Sequence, residues 1–434
     1  MDWVRGNRTA DQRSDRRPSG IARRLALLGG TTTWADCLAG LRYLADPVHL
    51  VDGPMITTYE RAFSRQIGVA HAVSFSAGRV GFYGLLQALG IGAGDDVLLQ
   101  VPTHIVVANA IRYAGARPVY VDCRLNTYNM DLEQAERRIT PKTRMLLLQH
   151  TFGIPVDLDA AMALARRHDL IVIEDCVHSL GACYAGRQVG SFGRAAFFST
   201  EETKTISSTM GGMVVTNDAA LADQLRAFQA ACPRPSRSLT ARYVLKLILY
   251  HLLTQPHLHR YTRALYERMG ERHPLPRPTT QTELRGLKPP RYARRLSNAQ
   301  AALALRQLRR LESNVAHRRV IADAYRARFA ECGVDGPSIP AGAEPSYVRY
   351  PVWVDDRPVA VRALAPHAVA GTWFTSVLEE AVSPSAGDYQ MGSCPNAELA
   401  ATHLVNLPTH PRVQPRDVRA ISAAVSTLEP GPGR

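Results

Sequence analysis

The sequence predicts an α/β protein built around a largely parallel β-sheet. Short apolar segments alternate with helical segments of about 10–15 residues, which is the pattern of βαβ units. The run Leu-Ile-Val-Ile at 170–173 is apolar on both faces, as expected for a strand covered on both sides. The chain has 434 residues, 46% of them hydrophobic. That is enough for two or three domains of about 150 residues each.

The predicted elements follow one another in regular order from about residue 57. We predict helices over residues 59–67, 80–89, 132–138 and 158–168. We predict strands over residues 72–75, 97–101, 119–122, 145–149, 170–174, 195–199 and 213–216. Beyond residue 228 the alternation ends. There we predict a short apolar helix at 243–253, a long helix at 298–329, a strand at 348–354, and helices at 359–369 and 415–428.

These patterns divide the chain into four regions. Residues 1–30 are predicted to form a flexible basic arm, because they lack any apolar period. Residues 31–231 form a large domain, and 232–297 form a basic insertion or linker segment with one short apolar helix. Residues 298–434 provide a linking helix and a small C-terminal α+β domain.

The positive charge is concentrated in two places. The net charge is +14, yet residues 1–24 hold seven Arg against three Asp, and residues 233–297 hold fourteen Lys or Arg against three Glu. The rest of the chain is close to neutral and contains no recognisable nucleic-acid module. We therefore expect no nucleic-acid partner.

Cysteine usage and the N-terminus indicate a cytoplasmic protein. The seven cysteines are scattered and form no C-x-x-C pair, so neither a disulfide framework nor a zinc knuckle is indicated. No apolar signal region follows the first arginines, and no stretch reaches the roughly 18 apolar residues of a membrane span. We predict neither a signal peptide nor a membrane span.

The first segment with chemical potential is Glu-Asp-Cys-Val-His at 174–178, directly after an apolar strand. Ligands of parallel sheets bind beyond the carboxyl ends of the strands, so Asp175 and His178 are candidate site residues. A buried acid is costly unless it is paired with a cation or a metal. Two other interpretations stay open: a helix-capping Asp beside a surface His, or a metal site, although nothing nearby completes a ligand set.

The second segment carries Lys204 in a polar loop between two apolar strands. A lysine in such a loop is usually only solvated. This one lies five residues after Ser199 and just before Gly211 and Gly212, where the backbone can approach a bulky partner. Held beside a buried carboxylate, a lysine can form a Schiff base with a carbonyl cofactor.

The chain resembles the DegT/DnrJ/EryC1/StrS family of pyridoxal-phosphate (PLP) sugar aminotransferases, which have the aspartate-aminotransferase-like fold, fold type I. The resemblance runs from about Gly53 to Val425 and is weakest in 232–290. Its signatures are Ala88-Leu-Gly-Ile-Gly-Ala-Gly-Asp-Asp-Val97, Gly115-Ala-Arg-Pro-Val-Tyr-Val-Asp122, Glu174-Asp-Cys-Val-His-Ser-Leu-Gly-Ala182, Gly190-Ser-Phe-Gly193, the Lys204 loop, Leu296-Ser-Asn-Ala-Gln-Ala-Ala302 and Leu407-Pro-Thr-His410.

The resemblance implies a role for each candidate residue. Lys204 forms the imine with PLP and later moves the proton, and Asp175 binds the protonated pyridine nitrogen, which keeps the ring an electron sink. His178 matches the position that contacts the ring hydroxyl, and Ser199 the position that contacts the phosphate. The large domain would then be the PLP-binding domain.

The remaining candidates belong to the phosphate turn and the ring-stacking position. Gly78 and Arg79 match a turn at a helix N-terminus, where free amides favour an anion. Many relatives have Thr where this chain has Arg79, so a charge-assisted contact would replace a hydroxyl contact. His104 stands where an aromatic ring usually stacks on the cofactor. The asparagine that relatives lend to the partner subunit falls at Ala293.

The implied reaction consists of two half-reactions and needs no metal. An amino acid, glutamate by resemblance, gives its amino group to PLP. The aminated cofactor then converts a keto group of a nucleotide-linked sugar to an amine, in polysaccharide or glycoside biosynthesis.

One alternative is a PLP-dependent sugar dehydratase, which has His in place of the lysine, so Lys204 argues against it. The other is a non-catalytic basic protein bound to membrane or nucleic acid. By resemblance we expect a homodimer, and residues 233–297 are a candidate for peripheral membrane contact.

Overall fold

The computed structural model describes residues 23–27, 30–259, 261–262 and 278–426. Its strands in chain order are β1 (His71–Phe75), β2 (Asp96–Gln100), β3 (Thr103–His104), β4 (Arg117–Val121), β5 (Thr143–Gln149), β6 (Ile171–Asp175), β7 (Cys183–Tyr184), β8 (Arg187–Gln188), β9 (Ala195–Ser199), β10 (Gly212–Thr216), β11 (Ala343–Glu344), β12 (Tyr350–Trp353), β13 (Leu378–Glu379) and β14 (Leu404–Leu407).

Helices surround these strands. They are α1 (Trp34–Leu44), α2 (Met55–Ile67), α3 (Gly78–Ala88), α4 (Ile105–Ala114), α5 (Leu132–Arg137), α6 (Leu158–Arg167), α7 (Ala219–Ala231), α8 (Arg237–Leu253), α9 (Gln281–Leu284), α10 (Asn298–Leu308), α11 (Leu311–Ala330), α12 (Arg357–Leu364), α13 (Pro395–His403) and α14 (Pro415–Ser426). No described helix is long and apolar enough to span a bilayer.

A seven-stranded sheet forms the centre of the large domain. Its strand order is β1-β10-β9-β6-β5-β2-β4, and every neighbouring pair is parallel except the two pairs that involve β10. All seven strands overlap the segments predicted to be strands. The predicted α/β class with a mostly parallel sheet is confirmed.

The sheet is buried on both faces, as the apolar run at 170–173 indicated. Val172 packs into one hydrophobic core, together with Leu146 and Phe198. Ile173, its neighbour in β6, packs into the opposite core with Phe197. Successive side chains of a strand point to opposite faces, so one apolar strand supplies both cores.

Two helical predictions differ from the structure in extent. The helix predicted at 243–253 begins earlier, at Arg237, because Ser236 caps it by accepting a hydrogen bond from the backbone N–H of Leu239. The single helix predicted at 298–329 is two helices, α10 and α11. The helix breaks at Arg310, whose φ of −109° and ψ of 10° are not helical.

Helix α11 links the two domains, because its first half packs on the large-domain core and its second half on the small-domain core. Leu311 belongs to the former and Phe329 to the latter. The predicted arm is docked at residues 23–27, where Leu25 is 1% exposed and forms a parallel β-bridge with Ala368. Residues 1–22 and 28–29 of the arm lie outside the described residues.

The fold brings small-domain residues to the carboxyl edge of the central sheet. Asp175 ends β6, Ser199 ends β9, and Gly78 begins α3 just after β1. Strand β13 pairs in parallel with β3 at the same edge. Large- and small-domain side chains therefore meet where the sequence analysis placed the site.

Candidate active site

A cavity of about 150 Å³ lies at this edge of the sheet. All seven residues predicted from the sequence line it, and its walls also include small-domain side chains. The predicted lining residues are Gly78, Arg79, His104, Asp175, His178, Ser199 and Lys204. The structure thus brings together residues that lie up to 126 positions apart in the chain, while their individual roles stay predictions.

Asp175 is a buried carboxylate with one free oxygen. It is 1% exposed, and its Oδ1 accepts a hydrogen bond from the backbone N–H of Val177, 3.1 Å away. Oδ2 has no hydrogen-bond partner among the described residues. Burial raises the pKa of Asp175 to about 7, although Lys204 opposes that rise. The site therefore favours an added cationic hydrogen-bond donor beside this carboxylate.

His178 is buried. The alternative interpretation of the 174–178 segment, a helix-capping Asp beside a surface His, is therefore wrong for the histidine. It is 6% exposed, and its ring stacks on Trp373 with centroids 4.6 Å apart and an angle of 15° between the planes. Within the described chain its Nδ1 has no partner. Burial, followed by the charge of Lys204, holds its pKa well below the ordinary value, so the imidazole is neutral.

Lys204 reaches the cavity from the loop between β9 and β10. Its Nζ lies 4.4 Å from the centre of the Trp373 ring. Burial lowers its pKa to about 8, partly offset by Glu201. A lysine with this pKa has a substantial neutral fraction near pH 7, as a nucleophilic amine requires.

One wall of the cavity is formed by the start of α3 and the end of β9. No side chain caps α3, so the first amide groups of the helix remain available to an anion. Ser199 Oγ accepts from the backbone N–H of Glu201 at 3.2 Å, and its own hydroxyl proton is not committed by that bond. Uncapped amides beside a hydroxyl suit a phosphate group.

The Arg79 guanidinium is already paired within the protein, and its charge-assisted phosphate contact stays a prediction. Its Nε lies 2.7 Å from Oε1 of Glu283, and a terminal nitrogen donates to the carbonyl of Pro278. Both side chains of the ion pair are largely buried. In this arrangement the contribution of Arg79 to a phosphate would come from its backbone N–H rather than its charge.

His104 is also paired. Its Nε2 lies 3.2 Å from Oε2 of Glu380, and its Nδ1 accepts from the N–H of Val106. The hydrogen bond from His104 lowers the pKa of Glu380 to about 2 despite partial burial. Stacking of this imidazole on a cofactor ring stays a prediction.

Sequence reasoning missed two residues beside Lys204, Trp373 and Arg349. Trp373 lines the cavity, and the Cζ atom of Arg349 lies 3.5 Å from the centre of its ring. Both belong to the small domain, more than 140 positions after Lys204. In the sequence, Arg349 is recognisable only as a cation directly before the apolar strand β12. That position alone is a weak indication of a site residue.

A buried cluster of His150, Glu174 and Cys176 has the donor types of a metal site, but its oxygens are already used. Oε1 of Glu174 accepts from two backbone N–H groups, and Oε2 accepts from a third and from His150. His150 accepts from the N–H of Val156 through Nδ1, so its Nε2 carries the proton donated to Glu174. The cluster is therefore a closed hydrogen-bond network.

Comparisons with known proteins agree with this geometry. The sequence profile of the DegT/DnrJ/EryC1/StrS aminotransferase family matches residues 37–426. The chain is 32% identical over 281 residues to GDP-perosamine synthase of Caulobacter vibrioides. That match covers 65% of this chain and 63% of the synthase, so it spans less than two thirds of that relative.

Two further relatives are matched over nearly their whole length. The spore coat polysaccharide biosynthesis protein SpsC of Bacillus subtilis is 28% identical over 391 residues, which are 88% of this chain and 91% of SpsC. DesV of S. venezuelae, solved in complex with a ketimine intermediate, superposes with a TM-score of 0.69 at 27% identity. This superposition covers 91% of this chain and 94% of DesV.

These matches settle the classification made from the sequence signatures. The family profile spans the large domain, the basic segment and most of the small domain. The predictions of an aminotransferase and of its fold are confirmed. The chain belongs to the DegT/DnrJ/EryC1/StrS aminotransferase family.

Proposed function

We propose that the protein is a PLP-dependent aminotransferase that converts a keto group of a nucleotide-linked sugar to an amine, with an amino acid, by resemblance glutamate, as donor. The observation that carries the proposal is the convergence of Lys204 and Asp175 on one cavity, with Oδ2 of Asp175 unpaired. The names of the relatives support the substrate class, since one makes GDP-perosamine and another serves polysaccharide biosynthesis.

The residues of the cavity fit PLP at both of its ends. The orphan Oδ2 of Asp175 and Nδ1 of His178 would serve the ring nitrogen and the ring hydroxyl. The uncapped start of α3, with Gly78, and the hydroxyl of Ser199 would hold the phosphate. When bound, PLP supplies a carbonyl that carries the amino group and a cationic ring that accepts an electron pair.

Each protein group then has a defined task. Lys204 would move the proton to and from the substrate carbon, since its lowered pKa lets it act as base and then as acid near neutral pH. Asp175 would hold a positive charge at the ring nitrogen, because an adjacent cation relieves its unfavourable buried position. The neutral His178 would orient the ring, and Trp373 packs against both His178 and Lys204.

The absorption spectrum of the purified protein tests the proposal. We expect a visible imine band that is lost on addition of glutamate, because the amino group of glutamate passes to the cofactor and the Lys204 amine is set free. In Lys204→Ala the band of the protein-bound imine should be absent, and turnover should fall by at least about 10³-fold. A Lys204→Ala protein that keeps the band would exclude this lysine as the attachment point.

Assembly and membrane contact are further parts of this proposal. A homodimer is expected from family resemblance.

Peripheral membrane contact is supported by exposed apolar side chains on two helices, α1 and α8, of which α8 lies in the basic segment. On α1, Trp34 is 64% exposed, Leu38 52% and Leu41 51%, and on α8, Leu245 is 46% exposed. Co-sedimentation with phosphatidylserine vesicles at low salt tests it. Absence of binding there would reject the contact, and binding equal to that of neutral vesicles would reject the electrostatic part.

A further inference from the structure

A second cleft lies apart from the main cavity that contains Lys204 and Asp175. Its volume is about 520 Å³, against about 150 Å³ for the main cavity, and the two share no lining residue. A small recess behind Lys204, with Arg318 and Arg349 in its walls, shares residues with each of them. The second cleft is therefore a separate space, and the proposed reaction assigns no task to it.

Four parts of the chain form the walls of the second cleft. They are the segment before α1, the end of α8, the break between α10 and α11, and the loop after β14. The lining side chains include two arginines, Arg310 and Arg412, and two histidines, His251 and His317. No acidic side chain of the described residues lines the cleft, so its walls suit an anion.

Three guanidinium groups in or beside the second cleft share one carboxylate. Asp36 is fully buried, and it lies 2.6 Å from Nη2 of Arg310 and 3.3 Å from Nε of Arg306. Arg412 has neutral acceptors instead, namely a carbonyl oxygen, a hydroxyl oxygen and Nδ1 of His251. Burial lowers the pKa of Arg412 to about 10, so this side chain stays charged at neutral pH. The described groups therefore leave an excess of positive charge at the cleft.

Neutral groups of the second cleft add positions for hydrogen bonds. Burial lowers the pKa of His251 and of His317, so both imidazoles are neutral near pH 7. Nε2 of His317 has no partner among the described residues, and the hydroxyl-bearing Thr31 also lines the cleft. A phosphate monoester carries a charge of about −1.5 to −2 and three free oxygens. It matches charged and neutral groups on separate walls better than a carboxylate, which has one charge and two oxygens.

One edge of the second cleft continues into an apolar stripe on α1. Trp34 lines the cleft and packs edge-to-face on His251, with ring centroids 4.7 Å apart, yet it is 64% exposed. Leu38 and Leu41, four and seven positions farther on, share its helix face and are also exposed. A lipid combines a phosphate group with a hydrocarbon chain and would occupy both surfaces. A free nucleotide would leave the stripe in water.

We propose that the second cleft binds the phosphate head group of a lipid, with Arg310 and Arg412 as charged contacts and Trp34 beside the hydrocarbon chain. This inference rests on the membrane contact in the proposed function and deepens it, because it gives that contact a lipid of defined chemistry. It leaves the reaction at Lys204 unchanged.

Co-sedimentation of the holoenzyme with two kinds of phosphatidylcholine vesicle tests the proposal. One kind contains phosphatidic acid, which exposes a phosphate monoester, and the other contains phosphatidylserine at the same surface charge. We expect at least about tenfold tighter binding to the vesicles with phosphatidic acid. Arg310→Gln and Arg412→Gln should each remove most of this preference, because each removes one charged contact with the monoester.

Arg309→Gln is the matched control. Arg309 is the exposed neighbour of Arg310 and does not line the second cleft, so its replacement removes the same charge from the same surface. It should weaken binding to both kinds of vesicle alike and keep the preference for phosphatidic acid.

Glycerol 3-phosphate, which carries the same phosphate without the hydrocarbon chains, separates a lipid from a free phosphate ligand. By calorimetry it should bind only at millimolar concentrations, and Trp34→Ala should leave that binding unchanged while it weakens binding to phosphatidic acid vesicles. Micromolar binding of glycerol 3-phosphate together with unchanged vesicle binding in Trp34→Ala would overturn the assignment to a lipid.

The remaining outcomes separate the cleft from the proposed function. Equal binding to both kinds of vesicle, or a preference that survives Arg310→Gln and Arg412→Gln, would overturn the cleft assignment alone. Absence of binding to either kind would reject the membrane contact as well. The imine band, measured in the same samples, reports on the proposed reaction and should be the same in Arg310→Gln as in the wild type. Should Arg412→Gln fail to fold, Arg310→Gln decides by the same criteria, since the Arg310 side chain is 37% exposed.

Discussion

Glu174 and Asp175 are adjacent buried acids at the end of β6 that face opposite sides of the sheet, and their surroundings differ sharply. Burial alone would raise the pKa of Glu174, but His150 and backbone N–H groups outweigh it and lower the pKa. Asp175 has one backbone donor, and its pKa is raised. The side with Glu174 is closed by the protein itself, and the side with Asp175 is left open for a ligand.

The same difference separates two arginines, Arg79 in the wall of the main cavity and Arg349 in the recess behind Lys204. The Arg79 guanidinium is paired with Glu283 at 2.7 Å. Arg349, behind Lys204, has no counter-ion within the described chain. A satisfied buried group stabilises the fold, whereas an unsatisfied one marks where a ligand supplies the missing charge or hydrogen bond.

Replacement of the open acid provides the largest expected effect. In Asp175→Asn the charge opposite the ring nitrogen is lost, so we expect kcat to fall about 10²–10³-fold. The folded state should lose no stability, because the amide can keep the bond from Val177 while the variant removes a buried charge whose Oδ2 is unpaired. Turnover assays and thermal unfolding of the cofactor-free protein measure the two effects. Unchanged turnover would show that Asp175 does not serve the ring nitrogen.

Replacement of the closed acid should give the opposite pattern. In Glu174→Gln one carboxylate oxygen becomes an NH₂ group that faces N–H donors, for example Gly190 and His150. We expect a loss of about 3 kcal/mol in the free energy of unfolding. Turnover per folded molecule should change little. Urea unfolding beside turnover at a temperature where the variant is folded tests this, and a large fall in kcat with normal stability would contradict the contrast.

The sequence predicted the large-domain part of the site because that part is local. Asp175 ends β6, Ser199 ends β9 and Lys204 lies five residues farther on in the loop after β9, and neighbouring parallel strands bring their carboxyl ends to one edge. Arg349 and Trp373 could not be placed, because their positions depend on how the small domain docks. The charge state of Arg79 was equally hidden, since its partner lies 204 residues away.

The pair His104–Glu380 is intermediate, since a contact of 3.2 Å closes it while both side chains are partly exposed, and it should give the smallest effect. The side chain of Glu380 is 48% exposed, so solvent weakens the pair. Its folded-state pKa, about 2, lies below the ordinary 4.5. The stabilisation is therefore present above about pH 4.5 and is lost as the pH falls towards 2. We expect Glu380→Gln to cost less than about 1 kcal/mol at pH 7, with a smaller difference from wild type at pH 3. Urea unfolding at pH 7 and pH 3 measures this.

A cost above about 2 kcal/mol would show that the pair stabilises the fold, as Glu174 does. Weaker cofactor binding at unchanged stability would show instead that the pair serves a ligand, as proposed for Asp175.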